Sequence, residues 1–169
     1  MKYKILLIII LISSKLFAQE KIELNNVYFD NGIAYNKINN QIFTGVAQNK
    51  KKNGHIKFEE FYENGKLTKT LLYYNIYSEQ IVSDETIFNS KTNKKERHLR
   101  FSSDKKKYWE TKFDENEQKS EFNSYLNGIQ VLHEKYKNGK KDGKWFCIYK
   151  DGTKCEMEYS KGKKIKDCR

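Results

Sequence analysis

The sequence predicts an all-β fold: an antiparallel meander of short Tyr-x-x-Gly hairpin repeats forming an elongated, twisted sheet. Three observations carry this. A Tyr-x-x-Gly unit recurs at Tyr125–Gly128, Tyr136–Gly139, Tyr149–Gly152 and Tyr159–Gly162, at spacings of 11, 13 and 10 residues, with a further copy at Tyr62–Gly65. Proline is absent from all 169 residues, which suits a ladder that needs every backbone N–H. No stretch sustains the apolar spacing of 3, 4 and 7 that an amphipathic helix requires.

Each unit reads as a hairpin. The aromatic closes one strand, Asn-Gly or Asp-Gly makes the turn, and Lys or Thr opens the next strand. The spacings leave room for strands of about five or six residues. A weaker copy begins at Trp109, where Trp109-x3-Phe113-x2-Asn116 overlays Trp145-x3-Tyr149-x2-Gly152, Asn standing for Gly because both tolerate a left-handed backbone. At Asp151-Gly152 a three-residue loop, Lys150 to Gly152, pairs Tyr149 with Thr153, Cys147 with Cys155 and Trp145 with Met157. That register groups the apolar side chains on one face, and a one-residue slip would scatter them. The same loop at Tyr62 pairs Phe61 with Leu67 and Glu59 with Lys69. Residues 76–107 are the least regular: Glu85–Phe88 and Arg97–Phe101 read either as strands around Ser90–Asn93 or as a stretch into which a short helix intrudes.

Residues 1–18 read as a cleaved export signal: Lys2 and Lys4, an apolar run from Ile5 to Ile12, and Leu16-Phe17-Ala18 before Gln19. The run is too short to cross about 30 Å of hydrocarbon, so the chain is not expected to be transmembrane. Cleavage between Ala18 and Gln19 leaves one β-repeat domain, residues 19–169, that is periplasmic or extracellular. Removing three lysines and no acid lowers the net charge from +11 to +8. The lysines alternate with acids rather than forming one block, and export removes most nucleic acid from reach. The expected partner is a protein or an anionic envelope component, not nucleic acid.

The repeat resembles the MORN-repeat variant of bacterial proteins in the YwqK family, which are often labelled antitoxin-like. The matching segments are Tyr136 to Gly162, Tyr62 to Lys66, and an opening in which Gly32-Ile-Ala-Tyr35 leads to Phe43-Thr-Gly45, with Ile42 in place of the family's proline. The resemblance implies a meander of hairpins in an elongated sheet and little about chemistry, because the repeat residues are architectural.

Catalytic signals are missing. His55, His98 and His133 are far apart, with no close-spaced partner for a metal, and no nucleophile elbow or phosphate loop is present. The sequence therefore implies no enzyme, metal or cofactor. Glu156 and Glu158 share a strand face but lie beside Lys154, Phe146 and Lys144, as an ion-paired surface would. Three cysteines in an exported chain raise disulfides. Cys147 and Cys155 are the candidate pair, or two reduced thiols beside Trp145. Cys168 is left over, to be free, capped or linked to a second chain. Phe146 and Ile148, rimmed by Lys144, Lys150 and Lys154, form the candidate binding patch. The expected function is an exported, non-catalytic interaction module. The alternative is an immunity or antitoxin-like protein acting outside the cytoplasm.

Overall fold

A computed structural model describes residues 20–76 and 79–168. The expected export signal and its expected cleavage point between Ala18 and Gln19 lie outside the described residues. Among the described residues sixteen strands follow one another: β1 (Glu20–Glu23), β2 (Val27–Asp30), β3 (Ile33–Asn36), β4 (Gln41–Ile42), β5 (Gly45–Lys50), β6 (Ile56–Glu63), β7 (Lys66–Tyr73), β8 (Val82–Phe88), β9 (Lys95–Phe101), β10 (Lys107–Phe113), β11 (Lys119–Leu126), β12 (Ile129–Lys137), β13 (Lys140–Lys141), β14 (Gly143–Ile148), β15 (Lys154–Ser160) and β16 (Lys163–Lys166). From β5 onward the main sheet runs in chain order to β16, with β13 paired to β12 at its margin. The two edge strands, β1 and β16, do not meet, so the sheet is open. The fold is the expected antiparallel meander.

The beginning of the chain departs from a simple meander. β1 skips three strands to pair with β5, in parallel, while β2, β3 and β4 form a second, three-stranded sheet. Val27, Ala34 and Phe43 from that segment pack on Ala47 and Tyr62 of the main sheet, with Ile22, Leu24 and Leu67 around them. The Asn64-Gly65 turn is wedged into this junction. Ala34 N–H donates to the Gly65 carbonyl (2.8 Å) and Gly65 N–H donates to the Phe43 carbonyl (2.8 Å). A Cβ on Gly65 would sit 2.4 Å from Ile33 Cγ2, so the turn glycine is also a packing requirement.

Turn chemistry follows the residues. Asn64-Gly65, Asn127-Gly128, Asn138-Gly139 and Lys161-Gly162 each place both residues at positive φ, the two-residue turn whose twist matches flanking strands. Only Gly152 is left-handed in the Lys150–Gly152 loop (φ 86°). There Tyr149 N–H donates to the Thr153 carbonyl, Cys147 faces Cys155 and Trp145 faces Met157, as the apolar grouping requires. β8 and β9 pair around Ser90–Asn93, so the least regular segment continues the same sheet.

Two registers differ from the sequence expectation. At the Tyr62 unit the loop has two residues, and a bulge follows: Tyr62 faces Leu67, Phe61 faces Lys69 and Glu59 faces Leu71. An apolar pair does form with Leu67, but Tyr62 supplies it because the second sheet lies over Tyr62. Phe61 takes the other face, where the Lys69 ammonium lies 4.4 Å from its ring centroid. In the weaker copy the left-handed residue is Glu117 (φ 57°), one place beyond Asn116. Asp114 draws the loop tight, accepting the N–H groups of Asn116 and Gln118 on its side chain and that of Glu117 on its carbonyl.

Candidate binding face

Register fixes which side chains share a face. One unbroken row crosses ten strands through Asn49, Phe58, Leu72, Asp84, Arg100, Trp109, Ser124, Leu132, Cys147 and Cys155; this is the Trp145 face. The adjacent row, on the opposite face, runs Gln48, Glu59, Leu71, Glu85, Leu99, Glu110, Asn123, His133, Phe146 and Glu156. Among the described residues the second sheet covers the Trp145 face only around β5–β7. From β8 onward both faces are open to solvent at half-buried positions.

The Phe146 face is held by hydrogen bonds. Glu110 and Asn123 are buried. Glu110 pairs with Arg97 (3.2 Å) and accepts from Asn123 Nδ2 (3.0 Å). Asn123 Oδ1 accepts from Gln130 Nε2 (2.8 Å) and meets His133 Nδ1 at 2.7 Å. Burial pushes His133 below the ordinary imidazole range. A similar knot joins Gln48, Glu59 and Tyr73, and burial together with the Glu59 carboxylate pushes the Tyr73 phenol up.

The residues of the candidate patch can be placed from the β14–β15 register. Lys144, Phe146, Ile148 and Lys154 alternate onto one face, and Lys150 stands in the adjoining loop. Phe146 is half-buried, with the His133 ring stacked on it at 5.7 Å and the Lys154 ammonium 4.7 Å from its centroid. Lys154 binds Glu156 at 2.7 Å, and Lys144 stands across the strands from Glu158.

Two other regions hold features that sequence alone did not single out. On the Trp145 face, His98, Arg100, Trp109, Thr111 and Phe122 line a shallow groove of about 410 Å³. Asp84 bonds both Arg100 (3.0 Å) and His98 (3.3 Å) at its rim. At one end of the sheet the Asn138-Gly139 and Lys161-Gly162 turns are joined: Gly162 N–H donates to the Lys141 carbonyl (2.8 Å) and Lys161 N–H to Asp142 Oδ2 (3.0 Å). Lys137, Lys140 and Lys161 line the cleft between them. The chain from 129 to 168 holds eleven lysines against six acids, so positive charge gathers at this end.

The cysteines depart from the expected pairing. Cys147 lies opposite Cys155, yet Cys155 is bonded to Cys168, with Cα atoms 5.0 Å apart, and Cys147 is free. The Tyr149–Thr153 pair exchanges a backbone hydrogen bond, and alternation makes Cys147–Cys155 a pair of the same kind. Such pairs stand wider than the non-bonded ones, beyond the Cβ separation a disulfide prefers.

Among the described residues no group of three His, Cys, Asp or Glu side chains is arranged to hold a metal ion, and no helix is long and apolar enough to cross a membrane. His55 meets the Tyr74 carbonyl (3.0 Å) and His98 meets Thr86 Oγ1 (3.0 Å).

No known family's profile matches the chain, and no curated protein matches it. A solved structure, a GtfA/B complex bound to UDP and GlcNAc, superposes with a TM-score of 0.48 at 10% identity. The match covers 84% of this chain and 27% of the other, so this chain spans about a quarter of that one. A likeness of that size carries no argument.

Proposed function

We propose that the protein is an exported, non-catalytic repeat module that docks an anionic protein or envelope component on its open sheet, chiefly at the lysine-rich end formed by β12–β16. The observation that carries this reading is the joined pair of turns lined by Lys137, Lys140 and Lys161, next to a sheet that leaves aromatic and cationic side chains at the surface. Phe146, half-buried under the Lys154 ammonium, gives contact area beside charge, a combination suited to an acidic partner. The resemblance of the Tyr-x-x-Gly units to MORN-variant repeats supports an architectural rather than a catalytic role.

The test is retention of the exported protein on immobilised envelope extract at rising salt. Binding should weaken steadily as ionic strength shortens the Debye length. Lys137→Glu together with Lys161→Glu should abolish retention while the melting temperature stays within about 2 °C, since exposed charges contribute little to stability. Salt-independent retention, or retention by the double variant, would sink the reading.

A further inference from the structure

Three sulfur atoms are drawn from three neighbouring segments. β15 lies between β14 and β16. Cys155 stands on β15, and Cys147 lies directly across from it on β14. Cys168, two residues past β16, is bonded to Cys155 from the other flank. A free thiol on one neighbouring strand and a disulfide partner from the other flank thus stand on either side of Cys155. Cys155 is only 2% exposed, so thiols in solution have little access to it. Cys147 is half-buried and already beside it.

We propose that Cys147, Cys155 and Cys168 form an intramolecular thiol–disulfide exchange site. Cys147 gives its proton to solvent, and its thiolate attacks Cys155 Sγ. The Cys147–Cys155 bond forms as the Cys155–Cys168 bond breaks. The electron pair leaves on the Cys168 sulfur, which takes up a proton, so nothing is oxidised or reduced overall. The wide, hydrogen-bonded spacing of Cys147 and Cys155 keeps Cys155–Cys168 as the resting bond and makes the exchanged form the minor one. Exchange moves the free thiol from a half-buried strand position to an exposed tail that follows Lys163, Lys164 and Lys166. There it is available to a thiol or disulfide on another molecule.

The oxidised full-length protein, quenched in acid and mapped by peptide mass spectrometry, should show Cys155–Cys168 with Cys147 free. At mildly alkaline pH, where thiolate is present, a bulky maleimide should then accumulate on Cys168, with Cys147 and Cys155 recovered as the linked pair. The rate should not depend on protein concentration. Cys147→Ser should lower Cys168 labelling at least tenfold, and Cys168→Ser should form Cys147–Cys155 on mild oxidation. Labelling confined to Cys147, equal Cys168 labelling in the Cys147→Ser variant, a rate proportional to protein concentration, or failure of the Cys168→Ser variant to cross-link would each overturn the site.

Discussion

The two halves of the sheet solve the same problem differently. Over β5–β7 a second sheet supplies a true interior: Ala34 and Ala47 are fully buried, and Phe43 and Tyr62 nearly so. From β8 to β16 the same hairpin units continue without that cover, and Trp145 and Cys155 are the buried apolar side chains described there. Cross-strand neighbours replace the missing layer. Tyr108 stacks on Tyr125 at 4.3 Å, Lys112 pairs with Glu121 at 3.0 Å, and Glu110 and Asn123 knot three strands together. A cross-strand pair contributes only about 0.2–1 kcal/mol, so the second half depends on many small contributions rather than a few large ones.

The contrast is sharpest at the aromatics. Tyr62→Ala should cost about 3–5 kcal/mol, as core aromatic truncations do. Trp109→Ala, which removes a larger ring from a half-buried place on the open face, should cost only about 1 kcal/mol. Urea unfolding of both variants measures this. Equal losses would mean that the open half holds a core of its own, and the comparison would fail.

Glycine turns give the next step. Gly65 and Gly139 share a left-handed backbone, with φ of 74° and 71°. At Gly139 an added Cβ meets nothing within 4 Å, whereas at Gly65 it meets Ile33, Ile42 and the Ala34 carbonyl. Gly139→Ala should therefore cost about 1 kcal/mol for conformation alone. Gly65→Ala should cost about 2–4 kcal/mol, because overpacking adds to it. Within the open half, Glu110→Ala should cost about 1–3 kcal/mol, since Asn123 Nδ2 loses its acceptor while buried. Amide exchange should rise on β10 and β11 in that variant and leave β5–β7 protected.

The same contrast explains what was legible in the sequence. Hairpin turns are local, so Asn-Gly and Asp-Gly mark them directly, and the Cys147–Cys155 register follows from grouping side chains within one hairpin. The Tyr62 register failed because its arbiter is not local. Tyr62 turns inward to meet Val27, Ala34 and Phe43, and no two-strand pattern reveals a third segment packing from above. The parallel pairing of β1 has the same origin. The cysteine partner was missed because register reports which residues are opposite, not whether the pair is hydrogen-bonded and wide. The Trp109 groove and the joined lysine turns draw on separate hairpins, and their meeting depends on contacts such as Gly162 to Lys141 that carry no sequence signature.

The smallest expected effect is a pH dependence confined to the open half. His133 faces Asn123 on β11 and Phe146 on β14. Burial disfavours its charged form, Lys135 and Lys112 disfavour it further, and Glu121 and Glu134 oppose them without reversing the shift. The folded imidazole thus titrates below the unfolded value of about 6.5. Between those two values the unfolded chain binds more protons, so His133 lowers stability as pH falls through that window. Above about 6.5 both states are neutral and the contribution is level. His133→Gln keeps a donor for Asn123 and removes the titration. Its difference in unfolding free energy from the parent should therefore be constant from pH 9 to about 7 and shift in the variant's favour below about 6.5. A difference that shifts the other way would mean that the Glu121 carboxylate outweighs burial. The polar row would then stabilise a charged histidine on the open face.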